Sequence, residues 1–518
     1  MSGQPAPHLA LRVLAALVGG SLLSILAPPV NLHWLHWVAY LPMFWALREE
    51  SPRANRWLAF LYGTFGVGLI FQWITISITN FSNLPGPVAW LTLLLFSVVF
   101  GLTHLVLWPS VHPLRKALGP WWMVVIPSLQ VALEFVTMFL FLFPYQHGVS
   151  QYRVPYTWQI ASVTGVWGLT WLLFFFNATL AEVMYRRREG RAELPTGWLA
   201  SAVALVALTV SFGAWRFHTV EQTLAAAPVL KVGQIQTNIT MQHRMSEGRK
   251  KAFDVWVNET NALIAASAPG DIDLVVWSEG ASPYNVHEGK AQALLADMAA
   301  RGGFELLVGG GTIERGKTRA DYKAYNSVYL FGTDGTILGR YDKNVPLPFG
   351  EYLPLANTFP ILREWIRGPG NFRAGTDAVV LEGSSARFAP PICYEAILPT
   401  MCRRFAEPDL FVNVTNDAWF GDTAATHQHA MLAAIRSIEL GVPLVRAGYT
   451  GVSFVVEPHG VIHSETRPFE RENRIVGVRM ATISTLYGQL GDWFAWLCVL
   501  VSLAGFGRVR LYMREAKR

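Results

Sequence analysis

The 518-residue chain is 52% hydrophobic and only 15% charged, against roughly 25% charged residues in soluble domains. Its length argues for two or more domains, and its composition leaves either an enormous core or a surface that largely faces lipid. The net charge of +6 is modest, with Lys and Arg clustered between apolar runs, which argues against a nucleic-acid partner; three cysteines without a CxxC pair or metal spacing argue against a disulfide framework, Cys393 with Cys402 being formally possible.

Apolar runs fill the chain to about residue 215, near 10–27, 33–48, 57–78, 88–110, 121–143, 158–184 and 197–215. Each approaches or exceeds the ~20 residues that cross a hydrocarbon layer of about 30 Å. The first run follows Arg12, as in a signal peptide, but Ser24 to Pro29 offers no clear small-x-small cleavage site. Arg48, Arg53, Arg56, Arg115, Lys116, Arg186, Arg187, Arg188 and Arg191 all fall in alternate loops, with Arg153 the exception. Lys/Arg-rich short loops stay cytoplasmic, so the N-terminus is expected inside and everything after Trp215 outside. A last run near 486–507 returns the chain, and Arg508, Arg510, Arg514, Lys517 and Arg518 hold its tail in the cytoplasm. Within the runs Glu134 stands out. An intramembrane carboxylate marks function by default, with helix packing as the alternative. Trp34, Trp37, Trp121, Trp122, Tyr185 and Trp215 near run ends fit an interfacial belt.

Between about 228 and 484 short strands alternate with helices. Strands are expected at 229–236, 273–278, 304–313, 326–331, 337–342, 378–382, 387–393, 409–414, 443–447, 453–457 and 474–480. Helices are expected at 247–267, 288–301 and 424–440, with Asp334-Gly335 and His459-Gly460 as hairpin turns. The pattern predicts a layered α/β domain. His427 and His429 stand i, i+2 on a helix and point apart, so no metal is expected.

Three strand ends carry chemistry: Glu279 in Trp277-Ser278-Glu279, Lys343 in Tyr341-Asp342-Lys343, and Cys393 in Ile392-Cys393-Tyr394-Glu395. A lone Cys is usually inert core, and on spacing alone that is the first reading of Cys393. Glu, Lys and Cys in that order, however, resemble the triad of the nitrilase superfamily. Tyr325-Asn326-Ser327, Asn416 to Gly421, Arg436 to Glu439 and Arg446 to Gly451 resemble its other core segments. Gly63 to Gly66 with Trp73, together with Glu134, Phe143-Pro144 and Ser150-Gln151, resemble the membrane segments of one branch, the apolipoprotein N-acyltransferases. The chain departs from that pattern at Ser278, where Pro is common, in lacking a histidine after Lys343, and at Thr137, where an arginine often follows Glu134.

The resemblance implies a membrane bundle of about eight helices carrying an αββα sandwich. It divides the chain into residues 1–220, a bundle of about seven helices; 221–484, the catalytic domain on the outer face; and 485–518, a final helix and cytoplasmic tail. It implies Glu279 as general base, Lys343 as oxyanion stabiliser and Cys393 as nucleophile. Glu351, Tyr394, Glu395 and Asn326 would support them. Trp419 and Phe420 are expected at the pocket mouth, with core packing the alternative. The apolar, Pro-interrupted stretch 345–365, with Leu353, Phe359, Leu362 and Trp365, is expected to form a lid that dips into the membrane. The implied activity moves a fatty acyl chain from a phospholipid, through a Cys thioester, to the amine of a diacylglyceryl-modified apolipoprotein in the bacterial cytoplasmic membrane. No cofactor is required. A membrane-anchored amidase using water as acceptor is the alternative.

Overall fold

The computed structural model describes residues 8–82, 85–140, 143, 145–239, 248–268, 270–318, 321–356, 358–361, 364 and 370–518. Two compact units emerge: Met1–Thr75, Pro85–Phe217 and Gln489–Arg518 form one, and Ile76–Leu84 with His218–Gly488 the other.

The first unit is helical. Among the described residues, five helical runs are long and apolar enough to cross a membrane: Leu9–Leu26, Gly86–Phe139, Val166–Arg188, Thr196–Ala225 and Trp493–Glu515. Pro52–Ile70 with Ile74–Asn80, bent by 50°, makes a sixth. Two features explain why this count differs from the expected eight. Gly86–Phe139 counts as one run of 54 residues but holds two expected runs, turning near Gly119, whose φ is +55°, with Arg115 before the turn and Trp122 after it both donating to Glu182. The 33–48 run is not one continuous helix: it forms a 3-10 turn, His33–Trp37, and the six-residue helix Leu41–Ala46, yet it returns the chain to the start of the first helix, where Arg12 donates to the Ala46 carbonyl at 2.7 Å. The break is supported from a neighbouring helix. Asn177 donates to the His36 carbonyl at 2.9 Å and accepts from the Tyr40 amide at 3.1 Å, satisfying backbone groups that lipid could not.

Glu134, which Thr137 follows where an arginine is common, lies 2.5 Å from His147 Nδ1 and accepts from Gln130 and Thr170 at 2.9 and 3.0 Å. Trp122 and Tyr185 are buried rather than interfacial, donating to Glu182 and to the Phe44 carbonyl, both at 2.9 Å. Arg153, the exception to the charge pattern, donates to Tyr152 and stacks over its ring. On the outer helix faces Leu94, Leu95, Leu208, Leu500 and Leu503 are all more than half exposed, as lipid-facing side chains should be.

The second unit is an αββα sandwich. One sheet runs β12-β1-β2-β3-β4-β5, from β1 (Val229–Gln236), β2 (Leu274–Asn285), β3 (Glu305–Glu314), β4 (Lys323–Phe331), β5 (Ile337–Asp342) and β12 (Glu472–Arg479). The other runs β11-β10-β9-β8-β7-β6, from β6 (Leu381–Glu382), β7 (Arg387–Ala389), β8 (Leu410–Thr415), β9 (Leu444–Gly448), β10 (Phe454–Val456) and β11 (Ile462–His463). β1, β2 and β3 pair in parallel, which accounts for the unbroken apolar run Leu274–Trp277. The predicted hairpin turns join β4 to β5 and β10 to β11. β7 stops where Pro390 and Pro391 bring no amide hydrogens to the ladder.

The sheets face each other. Gln234 donates across the gap to the Arg446 and Phe454 carbonyls at 3.1 and 3.3 Å, and Gln236 accepts from Ser453 and Thr466 at 2.8 and 2.7 Å. Helices Arg249–Ala266 and Gly289–Gly302 cover the first sheet through Phe253, Trp256, Leu295 and Met298, which pack on Trp277, Leu306 and Val308. Helix Ala424–Leu440 backs the second, Ser437 donating to the Val456 carbonyl at 3.2 Å.

At Gly309 on β3 the neighbouring strand comes so close that a Cβ would lie 2.3 Å from the Ser278 carbonyl oxygen and 2.8 Å from the Glu279 Cα. Gly309→Ala is therefore expected to destabilise the protein by about 1–3 kcal/mol and to displace Glu279. A lowered thermal midpoint of the full-length protein in detergent checks this; an unchanged midpoint contradicts it.

Candidate active site

Glu279 sits where β2 loses register with β3, between Trp277 and Ser282, beside Gly280 at φ +64°. Such a bulge re-aims a side chain out of the ladder. Glu279 Oε1 accepts from Asn326 Nδ2 at 2.7 Å and lies 3.3 Å from Lys343 Nζ, while Oε2 accepts from the Asn416 amide at 2.9 Å. Lys343 follows the last residue of β5. Its amide donates to the Asn326 carbonyl and its carbonyl accepts from the Gly375 amide, both at 2.8 Å. Its ammonium also lies 2.7 Å from Glu351 Oε2. Asn326 joins the two carboxylates, donating to Glu351 Oε1 at 2.6 Å, and the Leu347 amide fixes Glu351 at 2.7 Å. The structure thus brings together Glu279, Lys343, Glu351 and Asn326, from four separate stretches of sequence.

Cys393 opens the short 3-10 turn Cys393–Ile397, with φ of +53°. A non-glycine residue in that region is strained, and such strain clusters at functional sites. Asn413 restrains the turn from β8, donating to the Pro391 and Cys393 carbonyls at 2.9 and 3.3 Å. Arg446 Nη1 donates to Asn413 Oδ1 and Nη2 to Asp417 at 2.8 Å, and His429 Nδ1 lies 2.9 Å from Asp417. Sequence reasoning gave this buried network no role. Its legible signal was Asn413 and Arg446 standing alone inside otherwise apolar strands, where a polar group must be paired.

Glu395 is fully buried, and both its oxygens lie within 2.9 Å of the Tyr341 hydroxyl. It also accepts from the amides of Asn344, Val345 and Ile392 at 2.7–2.9 Å. Tyr394 is buried. Phe420 is buried too, edge-on to His429; Trp419 is half-buried, its carbonyl accepting from Asn80 at 3.3 Å. Leu353 is half-buried, and Phe349, Leu355 and Phe359 are at least half exposed; Leu362 and Trp365 lie outside the described residues. All three cysteines are free, so the Cys393–Cys402 pairing does not form.

Burial pulls the Lys343 ammonium down, but Glu279 and Glu351 outweigh it and hold the group well above the usual lysine range. Burial pushes the Cys393 thiol up strongly. Glu279 and Asp417 push the same way, against Lys343 and a hydrogen bond to Thr415. The resting site therefore holds a charged lysine and a neutral thiol. Activation requires a nearby base, and Glu279 is the carboxylate with the strongest electrostatic hold on the sulfur. Burial raises Glu395 to about 7.

A two-sheet α/β unit with buried carboxylate, lysine and cysteine at its strand ends, joined to long apolar helices, defines a carbon–nitrogen hydrolase-type enzyme tied to a membrane bundle. The apolipoprotein N-acyltransferase N-terminal domain matches residues 19–179, and the carbon–nitrogen hydrolase domain residues 231–487. The apolipoprotein N-acyltransferase of Geobacter metallireducens is 31% identical over 94% of this chain and 93% of its own. That of Haemophilus ducreyi is 28% identical over 92% of each. Among solved structures, a carbon–nitrogen hydrolase from Helicobacter pylori G27 is similar over 48% of this chain and 89% of its own, at 16% identity and a TM-score of 0.37. The chain belongs to the apolipoprotein N-acyltransferase family. It is an acyltransferase.

With burial and Glu279 both raising the thiol, iodoacetamide should alkylate Cys393 only as the pH climbs past about 9, above the ordinary thiol value of roughly 8.5. Glu279→Gln removes a negative neighbour and shifts the profile to lower pH; Lys343→Met removes a positive one and shifts it higher. Peptide mass spectrometry of the full-length protein reads all three profiles, and unmoved profiles in both variants contradict the electrostatic account.

Proposed function

We propose that Cys393 carries the acyl chain, with Glu279 as general base and Lys343 as the oxyanion's cation. Glu279 accepts the thiol proton while sulfur attacks the ester carbonyl of a phospholipid. Lys343 Nζ, with a backbone N–H at Tyr394, stabilises the tetrahedral oxyanion. Collapse breaks the ester C–O bond, and Glu279 returns the proton to the departing lysophospholipid oxygen. The α-amine of a diacylglyceryl-cysteine at a lipoprotein N-terminus then attacks the thioester and gives its proton to Glu279. The C–S bond breaks, leaving an amide and, once the proton returns, a free thiol. Glu351 and Asn326 orient the lysine and the base.

The observation that carries this reading is the buried ammonium 3.3 Å from Glu279 and 2.7 Å from Glu351, in electrostatic contact with a thiol on a strained turn. The loop charges support a bacterial inner-membrane location with both termini cytoplasmic and residues 221–484 on the periplasmic side. There, both lipid substrates reach the site without leaving the bilayer.

Incubating the full-length protein with phospholipid should add one fatty acyl mass to Cys393, labile to hydroxylamine; a lipopeptide acceptor should then remove it as an amide. Cys393→Ala should lose turnover by about three orders of magnitude or more. Free fatty acid as the sole product would instead favour the amidase reading, and a fully active Cys393→Ala variant would end the proposal.

Phe349, Leu355, Phe359 and Ile361 expose apolar side chains on the loop after Lys343, which supports a lid against the outer leaflet. Leu353→Asp with Phe359→Asp should raise KM for long-chain phospholipid about tenfold or more, each buried CH₂ being worth about 0.8 kcal/mol. Unchanged KM in vesicles would rule the lid out.

A further inference from the structure

Glu395 meets hydrogen-bond donors at both of its oxygens. Oε1 accepts from the Asn344 and Val345 amides at 2.7 and 2.9 Å and from the Tyr341 hydroxyl at 2.9 Å. Oε2 accepts from the Ile392 amide and again from Tyr341, both at 2.8 Å. Both side chains are fully buried. The amides come from the two places whose spacing the chemistry depends on: Asn344 and Val345 directly follow Lys343, and Ile392 directly precedes Cys393.

Hydrogen-bond accounting then fixes the charge that this arrangement requires. An ionised carboxylate only accepts, and here it finds three amides and a phenol that donate. A protonated carboxyl carries a hydrogen of its own, which a backbone N–H can never accept. Tyr341 is the one partner of the four that could, because a hydroxyl both donates and accepts. To do so it must withdraw the hydrogen it now gives. Buried amides left facing a neutral O–H are costly, so protonation loosens the tie. The titration falls where this matters: burial lifts Glu395 to about 7, while Lys343, the Ile392 and Val345 amides and the Tyr341 hydroxyl pull the other way. On its remaining side, Cys402 of helix Pro399–Cys402 lies with its thiol 3.7 Å from the Glu395 carbonyl, and Arg436 and Glu439 are in electrostatic range of that cysteine. Cys393 and Tyr394 share the turn of Glu395 itself.

We propose that Tyr341 is a positioning residue for acyl transfer: its hydroxyl holds Glu395 in the ionised form that grips the Lys343 and Cys393 ends together. It touches no reacting atom. The inference rests on Cys393 as the acyl carrier for its activity readout. The phenol is also the one donor of the four that a side-chain substitution removes, and phenylalanine keeps the ring that packs against Phe405. Without the hydroxyl the carboxylate retains its three amides but is harder to ionise. The gripping form is then reached only at higher pH.

The test is the rate at which phospholipid acylates Cys393 in the full-length protein, in detergent, across pH. In the unsubstituted protein the rate should fall on the acid side as Glu395 takes up its proton near pH 7. Tyr341→Phe should move that fall upward by about one pH unit, leaving the variant about tenfold slower below it, while the two rates converge at higher pH. Glu395→Gln should be slow at every pH, and adding Tyr341→Phe to it should cost little more. A fall that stays in place, or a loss by the same factor at every pH, reduces Tyr341 to packing and overturns the proposal, as does a fully active Glu395→Gln. Infrared titration gives a readout independent of the acyl chemistry. As pH falls, the protonated-carboxyl band that Glu395→Gln lacks should appear at higher pH in Tyr341→Phe than in the unsubstituted protein; an unmoved band overturns the role of Tyr341. A band that moves in a protein forming no Cys393 adduct upholds the hold on Glu395 while sinking the acyl-carrier reading, so the two failures are distinguishable.

Discussion

A single buried ammonium organises the catalytic unit. Lys343 is 1% exposed, and desolvating a lone charge to that degree costs several kcal/mol. Glu279 and Glu351 offset this by flanking the nitrogen, and Asn326 keeps the carboxylates apart from each other while donating to both. Each carboxylate needs its own backbone donor, Asn416 for one and Leu347 for the other. The bulge in β2, the end of β5 and the turn at 347–351 can all be read as means of bringing these donors to one point. Removing the lysine would leave two buried carboxylates with no cation between them.

The cysteine belongs to the opposite sheet, and one side chain sets its distance from the lysine. Glu395 takes the amides of Asn344 and Val345, just past the lysine, and the amide of Ile392, just before the cysteine. Tyr341, from β5, donates to the same carboxylate. A fully buried carboxylate therefore ties the ends of both sheets together across the interface where the chemistry is proposed. Asn413 and Arg446 complete the hold from behind, fixing the carbonyl of Cys393 and, through Asp417, helix Ala424–Leu440.

Local order explains which of these features could be read from the sequence. Strand ends bearing Glu279, Lys343 and Cys393 are visible because apolar runs stop abruptly at a polar residue. The eleven expected strands find counterparts, because parallel and hairpin segments both leave strong patterns. β11 escapes notice, since two residues carry no periodicity. The pairings of Glu134 with His147 and of Asn177 with the 33–48 turn join residues 13 and about 140 positions apart, where no window-based pattern reaches. The same distance hid the true setting of Trp122 and Tyr185, which sit near run ends yet face inward.

The charges of the site also bear on the proposed thioester. With two carboxylates against one ammonium, the cluster already carries one net negative charge, and a thiolate beside it would add another. Burial and Glu279 together push the thiol up, so in the proposed mechanism sulfur loses its proton to Glu279 as it attacks rather than beforehand. Once acylated, the sulfur is neutral and makes no such demand, so the acyl-enzyme is electrostatically easier to house than the ionised free enzyme. A neutral thioester in a site with little water exposure can wait for an amine, whereas hydrolysis requires a water to be admitted and activated beside the same crowded base. On the proposed mechanism, the burial that raises the free thiol thus also favours transfer over hydrolysis.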